Sequence, residues 1–137
     1  GNIVLQAAEQ ATGQGTSCCI VTYGMGVYWA KAAAAHFPGQ LDIIDLRTLY
    51  PLDEDLIFSI VKKHGKCLVL TEEQQENSFA EALAGRIAKH CFKWLDAPVE
   101  VLGAISVPAI PMNIQLEQAV LPNAEKVKAA IIRLLLF

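Results

Sequence analysis

Cys18-Cys19-Ile20-Val21-Thr22-Tyr23-Gly24 reads as a β-strand running into a turn. Apolar, β-branched and aromatic residues suit a pleated surface, and the glycine punctuates the end. The next stretch, Val27 to Phe37, carries an alanine run and stops at Pro38-Gly39, so it reads as a helix. The same alternation then repeats. Leu41 to Leu46 (LDIIDL) is a strand, and Asp53 is placed to cap a helix from Glu54 to about His64, with Gly65 to end it. Cys67 to Thr71 (CLVLT) is a third strand. Ser78 and Glu81 have capping-box spacing for a helix to about Trp94. Val99 to Leu102 (VEVL) is a fourth strand, and Asn123 caps a last helix from Ala124 to about Leu136. Upstream, Ile3 to Ala8 is a weaker strand, followed by a loop at Gly13 to Ser17 (GQGTS). Strands alternating with helices predict an α/β fold, a parallel sheet with helices on both faces. The near-continuous apolar character of the middle strands fits burial on both sides.

The 137 residues fit one domain, 1–137, without repeat or low-complexity linker. At 53% hydrophobic residues the faces need cover from the chain's own helices or from a partner, and self-association is expected. A net charge of −3 offers no broad basic surface, which argues against nucleic acid. The apolar run Ala129 to Leu136 is interrupted by Arg133 and is too short for a bilayer, which argues against a membrane span. No secretory signal pattern is visible, and the start at Gly1-Asn2 fits a processed or expressed piece. Cys18, Cys19, Cys67 and Cys91 form no C-x-x-C pair and read as small buried hydrophobes in a reducing compartment.

Gly24-Met25-Gly26 lies where a phosphate-binding turn would sit, between strand and helix. The dinucleotide fingerprint needs a third glycine where this chain has Trp29, so a plain turn is the better reading. Asp45 and Arg47 share a face at a strand end, and a structural carboxylate–guanidinium pair is expected, with Asp45 or Asp53 as partner. If that pair is partly buried, Arg47→Ala should cost about 1–3 kcal/mol. Thr71-Glu72-Glu73-Gln74-Gln75-Glu76-Asn77-Ser78 reads as a polar loop feeding a helix N-terminus. His36, His64 and His90 each fall near a helix C-terminus and lack metal-ligand spacing. Val107 to Pro111 (VPAIP) reads as an ordered turn. No catalytic, cofactor or metal set emerges from the residues alone.

Taken in order, the motifs resemble the C-terminal domain of the β subunit of thiamine-diphosphate-dependent 2-oxo acid dehydrogenases. They are Ile20-Val21-Thr22-Tyr23-Gly24, Ile44-Asp45-Leu46-Arg47-Thr48-Leu49 with Pro51-Leu52-Asp53, and Val69-Leu70-Thr71-Glu72. Leu95-Asp96-Ala97-Pro98, then Gly103, Pro108 and Pro111, then Leu121-Pro122-Asn123-Ala124-Glu125-Lys126-Val127 complete the set. Three positions depart from the family pattern. Thr71 stands where the family has His, Asn77-Ser78-Phe79 replaces Gly-Gly-Phe, and Ala104 follows Gly103 where an Asp is common. The subfamily is left open by these changes, and transketolase or deoxyxylulose-phosphate synthase remains an alternative, as does a small-ligand-binding α/β module.

The resemblance implies a three-layer α/β/α domain with a five-stranded, mostly parallel sheet whose first strand is antiparallel. It also implies that thiamine diphosphate and Mg are bound by other domains of the intact enzyme, so that this part is inactive alone. Arg47, Glu72, Glu73 and Pro108 are then expected at the interface with the remaining domains or subunits of the same enzyme. Asp96 and Phe137 are expected to dock a lipoyl acyltransferase. A homo-oligomeric enzyme of the bacterial cytoplasm or the mitochondrial matrix is implied, acting on a 2-oxo acid such as pyruvate or 2-oxoisovalerate.

Overall fold

The computed structural model describes residues 3–4, 17–47, 53–74, 78–104 and 122–137. The elements are β1 (Ile3–Val4), β2 (Cys18–Thr22), α1 (Gly26–Ala34), β3 (Leu41–Asp45), α2 (Glu54–His64), β4 (Cys67–Gln74), α3 (Phe79–Cys91), β5 (Glu100–Ala104) and α4 (Ala124–Leu135). A tight turn, Phe92–Trp94, follows α3. The sheet order is β1-β3-β2-β4-β5. β2 to β5 are mutually parallel, which is the α/β arrangement the alternation predicts. β1 is a two-residue pairing, antiparallel to β3 through Ile3↔Asp45 and Val4↔Ile44; the rest of the weak strand expected at Ile3 to Ala8 lies outside the described residues.

The period of two along each strand divides the core. Cys18, Ile20, Leu41, Ile43, Leu68 and Leu70 pack beneath α1 and α4, against Ala30, Ala33, Ala34, Val127, Ala130, Ile131 and Leu134. Cys19, Val21, Ile44, Cys67 and Val69 face the opposite side, against Ile57 and Val61 of α2 and Leu83, Ile87 and Cys91 of α3. The adjacent cysteines at 18 and 19 therefore point to opposite layers, and all four cysteines are free and buried.

The helix ends follow the expected chemistry. Asp53 Oδ1 accepts from Leu56 N at 3.2 Å, Ser78 Oγ from Glu81 N at 3.2 Å, and Asn123 Oδ1 from Lys126 N at 2.9 Å. Gly65 closes α2 with φ 74°, its N–H donating to Val61 O at 2.8 Å. α1 is shorter than the expected Val27 to Phe37. Ahead of Pro38 the chain tightens into bonds of three-residue span, His36 N to Ala33 O at 3.1 Å and Phe37 N to Ala34 O at 2.9 Å.

Two strand boundaries also differ from expectation. β5 lies at Glu100–Ala104 rather than at Val99 to Leu102. β4 does not stop at Thr71 but continues to Gln74, with a shift of register against β5 between Leu70 and Gln74. Glu72 and Glu73 therefore lie on an exposed strand extension, not in a loop.

Candidate functional site

Open parallel sheets place their sites outside the carboxyl ends of the strands, where successive connections leave for opposite faces. Here α1 carries the chain from β2 to one face, while α2 and α3 follow β3 and β4 to the other. β2 lies between β3 and β4, so the crevice falls at its end. An open pocket of about 550 Å³ occurs there, lined by Gly24, Met25, Val27, Tyr28, Lys31, Asp45, Arg47 and Glu72. The fold thus brings Arg47 and Glu72 together from two strands that flank Gly24.

The pocket holds charges of both signs, weakly tied. Arg47 Nε donates to Asp45 Oδ2 at 3.3 Å, and the Arg47 side chain is 59% exposed. The expected pair exists with Asp45, but through a single nitrogen and at the surface. Its stability contribution therefore falls to that of an exposed ion pair, about 0–1 kcal/mol, rather than the 1–3 kcal/mol of a partly buried one. Glu72 leans over the turn, and a Cβ added at Gly24 would come 2.6 Å from Glu72 Oε1. Beneath the turn, a Cβ at Gly26 would collide with the fully buried Thr22 Oγ1, which has no hydrogen-bond partner among the described residues. Beside the pocket, Tyr23 Oη and Thr71 Oγ1 are 2.8 Å apart, and Thr71 Oγ1 accepts from Glu73 N at 3.1 Å. Partial burial pushes the Tyr23 phenol up, opposed by the Thr71 hydrogen bond and reinforced by the charges of Glu73 and Glu72.

The turn at Gly24 is not built as a phosphate cradle, although Arg47 and Lys31 line the crevice beside Glu72. The first amides of α1 are already used within the turn, Gly26 N by Tyr23 O and Val27 N by Gly24 O, each at 3.2 Å. The nearest side-chain charge over Gly24 is the carboxylate of Glu72. A phosphate cradle needs free N–H groups and no competing anion. Among the described residues, no group of three or more His, Cys, Asp or Glu side chains is arranged to hold a metal ion.

The opposite end of the sheet, at the strand N-termini, is closed and polar inside. His64 ends α2, as its position near a helix C-terminus predicts, and it is buried there. Its ring nitrogens lie 2.8 Å from Ser17 Oγ through Nδ1 and 2.6 Å from Asp42 Oδ2 through Nε2. Lys63 Nζ approaches the same carboxylate at 3.6 Å. A buried carboxylate in a strand requires such partners, and the helix C-terminus is where β3 can reach them. His90, by contrast, stacks on Phe58 with centroids 5.0 Å apart. Lys66 is also buried, 1% exposed, and donates from Nζ to Phe137 O at 3.0 Å and to Leu135 O at 3.4 Å.

Asp96 and Phe137 meet this closed end from two sides. Asp96 N donates to Gly65 O at 2.7 Å, while the Asp96 side is exposed. An apolar groove of about 660 Å³ runs from Asp96 along α3, past Ala84, Gly85 and Ala88, with Phe92 at its rim 78% exposed. Glu73 is exposed on β4 but does not line the pocket of Glu72. Pro108 and the turn at Val107 to Pro111 lie outside the described residues, as do Thr48 to Leu52 and Gln75 to Asn77. The Ser17–His64–Asp42 network and the buried Lys66 were missed by sequence reasoning. The available signal was Asp42, an acidic residue inside an otherwise apolar strand.

The family model of the transketolase C-terminal domain matches residues 4–127. The chain belongs to that family. The chain is 36% identical over 120 residues to the 2-oxoisovalerate dehydrogenase subunit beta of Bacillus subtilis (strain 168), covering 85% of this chain and 37% of that relative. It is 33% identical over 120 residues to the pyruvate dehydrogenase E1 component subunit beta of Rhizobium meliloti (strain 1021), covering 85% of this chain and 26% of the relative. The chain thus spans a minor part of the length of these curated relatives, both β subunits of 2-oxo acid dehydrogenases. A solved structure described as a split gene transketolase, inactive beta4 tetramer, superposes with TM-score 0.70 at 20% identity, over 99% of this chain and 42% of that one. At that identity the likeness shows the fold alone. Among the described residues, no helix is long and apolar enough to cross a membrane.

Proposed function

We propose that this chain is the C-terminal domain of the β subunit of a thiamine-diphosphate-dependent 2-oxo acid dehydrogenase, serving assembly and docking rather than chemistry. The observation that carries the reading is the crevice at Gly24. Its amides are bonded within the turn and a carboxylate leans over it, so it suits contact with a neighbouring domain better than a cofactor phosphate. Arg47, Glu72 and Glu73, all exposed at the strand C-termini, meet the remaining domains of the enzyme, with Pro108 from the adjoining segment. Asp96 and Phe137, at the opposite end, meet the lipoyl acyltransferase. The exposed Phe92, Trp94 and Leu136 support an oligomeric parent enzyme.

The substrate is a 2-oxo acid of the pyruvate or 2-oxoisovalerate kind, and the setting is the bacterial cytoplasm or the mitochondrial matrix. Thiamine diphosphate and Mg belong to the other domains. The test is twofold. Calorimetric titration of this domain with thiamine diphosphate and Mg should give no saturable heat, and the complete enzyme should decarboxylate a 2-oxo acid in the presence of an acceptor. Saturable micromolar binding to the domain, or ketol transfer between sugar phosphates by the complete enzyme, would overturn the reading.

A further inference from the structure

Lys66 is a charged side chain that the exposed crevice does not use, and burying an ammonium is unfavourable unless it is well bonded. Its partners include the main-chain oxygens at the end of α4, Phe137 O at 3.0 Å and Leu135 O at 3.4 Å. A cation there also suits the negative end of the helix dipole. The side chains of the same segment stand in solvent, Leu136 at 81% and Phe137 at 64% exposure. The helix end is thus held by its backbone while its side chains are presented outward.

Asp96 is held in the same manner. Its N–H donates to Gly65 O at 2.7 Å, and its residue is exposed. A Cβ at Gly65 would meet Asp96 Oδ2 at 2.5 Å and Trp94 O at 3.0 Å, so the Asp96 turn lies directly on that glycine. The next residue, Ala97, is buried in the layer shared with α4. Two consecutive residues, Gly65 and Lys66, therefore grip the turn of Asp96 and the end of α4.

We propose that Lys66 is a positioning residue for partner docking. With the Gly65 carbonyl it fixes the spacing between the Asp96 carboxylate and the apolar side chains at Leu136 and Phe137. The partner it fits presents a basic side chain and an apolar one at a matching distance. The inference rests on the docking role given above to Asp96 and Phe137.

The experiment uses the complete enzyme and the isolated subunit-binding domain of its acyltransferase, with affinity measured by calorimetry at two salt concentrations. Asp96→Ala and Phe137→Ala test the docking reading, and no change in either would remove it and the role of Lys66 together. If they weaken binding, Lys66→Met should weaken it by about tenfold. Lys66→Arg, which keeps a donor for the helix carbonyls, should recover part of that loss. Lys66→Met added to the double variant Leu136→Ala with Phe137→Ala should weaken binding no further, because Lys66 acts through those two side chains. Additive losses, or Lys66→Met within about twofold of the parent, would overturn the role of Lys66 while leaving docking at Asp96 intact. Should Lys66→Met not fold, amide exchange on the unaltered enzyme decides. Amides of 134–137 and of Asp96 should slow together on binding, and unchanged exchange at 134–137 would overturn the proposal.

Discussion

The two ends of the sheet are built differently from similar residue types. At the strand C-termini, Asp45, Arg47, Glu72 and Lys31 surround an open pocket, and among the described residues the one ion pair there is a single 3.3 Å contact with a 59% exposed arginine. At the strand N-termini, Asp42, His64 and Ser17 are buried and linked at 2.6 and 2.8 Å. A charged group in water contributes little to folding, whereas one enclosed by the core must be matched or the fold fails. The closed end holds the domain together, and the open end leaves its polar groups available to a neighbour.

The largest test of that contrast sets His64→Ala against Arg47→Ala. Removing His64 leaves Asp42 in the interior without its closest partner, and a loss of about 3 kcal/mol or more in denaturant unfolding is expected. Arg47→Ala should change stability by less than about 1 kcal/mol. Equal losses would mean that the two ends are not energetically distinct.

Gly26→Ala sharpens the picture at the open end. The added methyl meets Thr22 Oγ1, and Leu70 Cγ lies at 3.3 Å, so an overpacking loss of about 1–3 kcal/mol is expected. Thr22→Val, which removes a buried hydroxyl with no partner among the described residues, should be neutral or slightly stabilising. Thermal melts of the two variants should therefore shift unequally, with the glycine variant clearly lower.

A smaller effect is expected from the exposed fork that joins α2 to α3, where Arg86 Nε and Nη2 donate to Glu54 Oε1 and Oε2 at 2.8 and 2.6 Å. The Arg86 hydrogen bond holds the Glu54 carboxyl below the usual glutamate range, with its charge adding to the effect. A lowered folded pKa means that the stabilisation is present above the unfolded pKa and lost as pH falls through the folded one. The melting difference between the parent chain and Glu54→Gln should be small near neutrality and vanish in acid. A difference that grows in acid would reverse the sign.

The fold was legible because its signals are local. Asp53, Ser78 and Asn123 cap the helices that their spacing announces, and the apolar runs form the parallel strands. Boundaries failed where pairing overrode composition, as in the extension of β4 through Glu72 and Glu73, whose polarity reads as loop. The open end was partly legible, since Asp45, Arg47 and Glu72 follow strands directly. The closed end was not. Ser17, Asp42 and His64 are separated in sequence and meet only through the sheet order, and Lys66 finds its oxygens at the far terminus of α4.

The central claim, that the open end is an interdomain face and the closed end an intrinsic part of the domain, is tested most directly by hydrogen exchange. Amide exchange would be compared between this domain alone and the complete protein. The account predicts that amides at 24–28, 45–47 and 72–74 exchange more slowly in the complete protein than in the domain alone, while those of 18–20 and 65–68 keep the same slow exchange in both. Exchange at 24–28 and 72–74 that is unchanged on assembly, or protection of 18–20 that arises only on assembly, would contradict it.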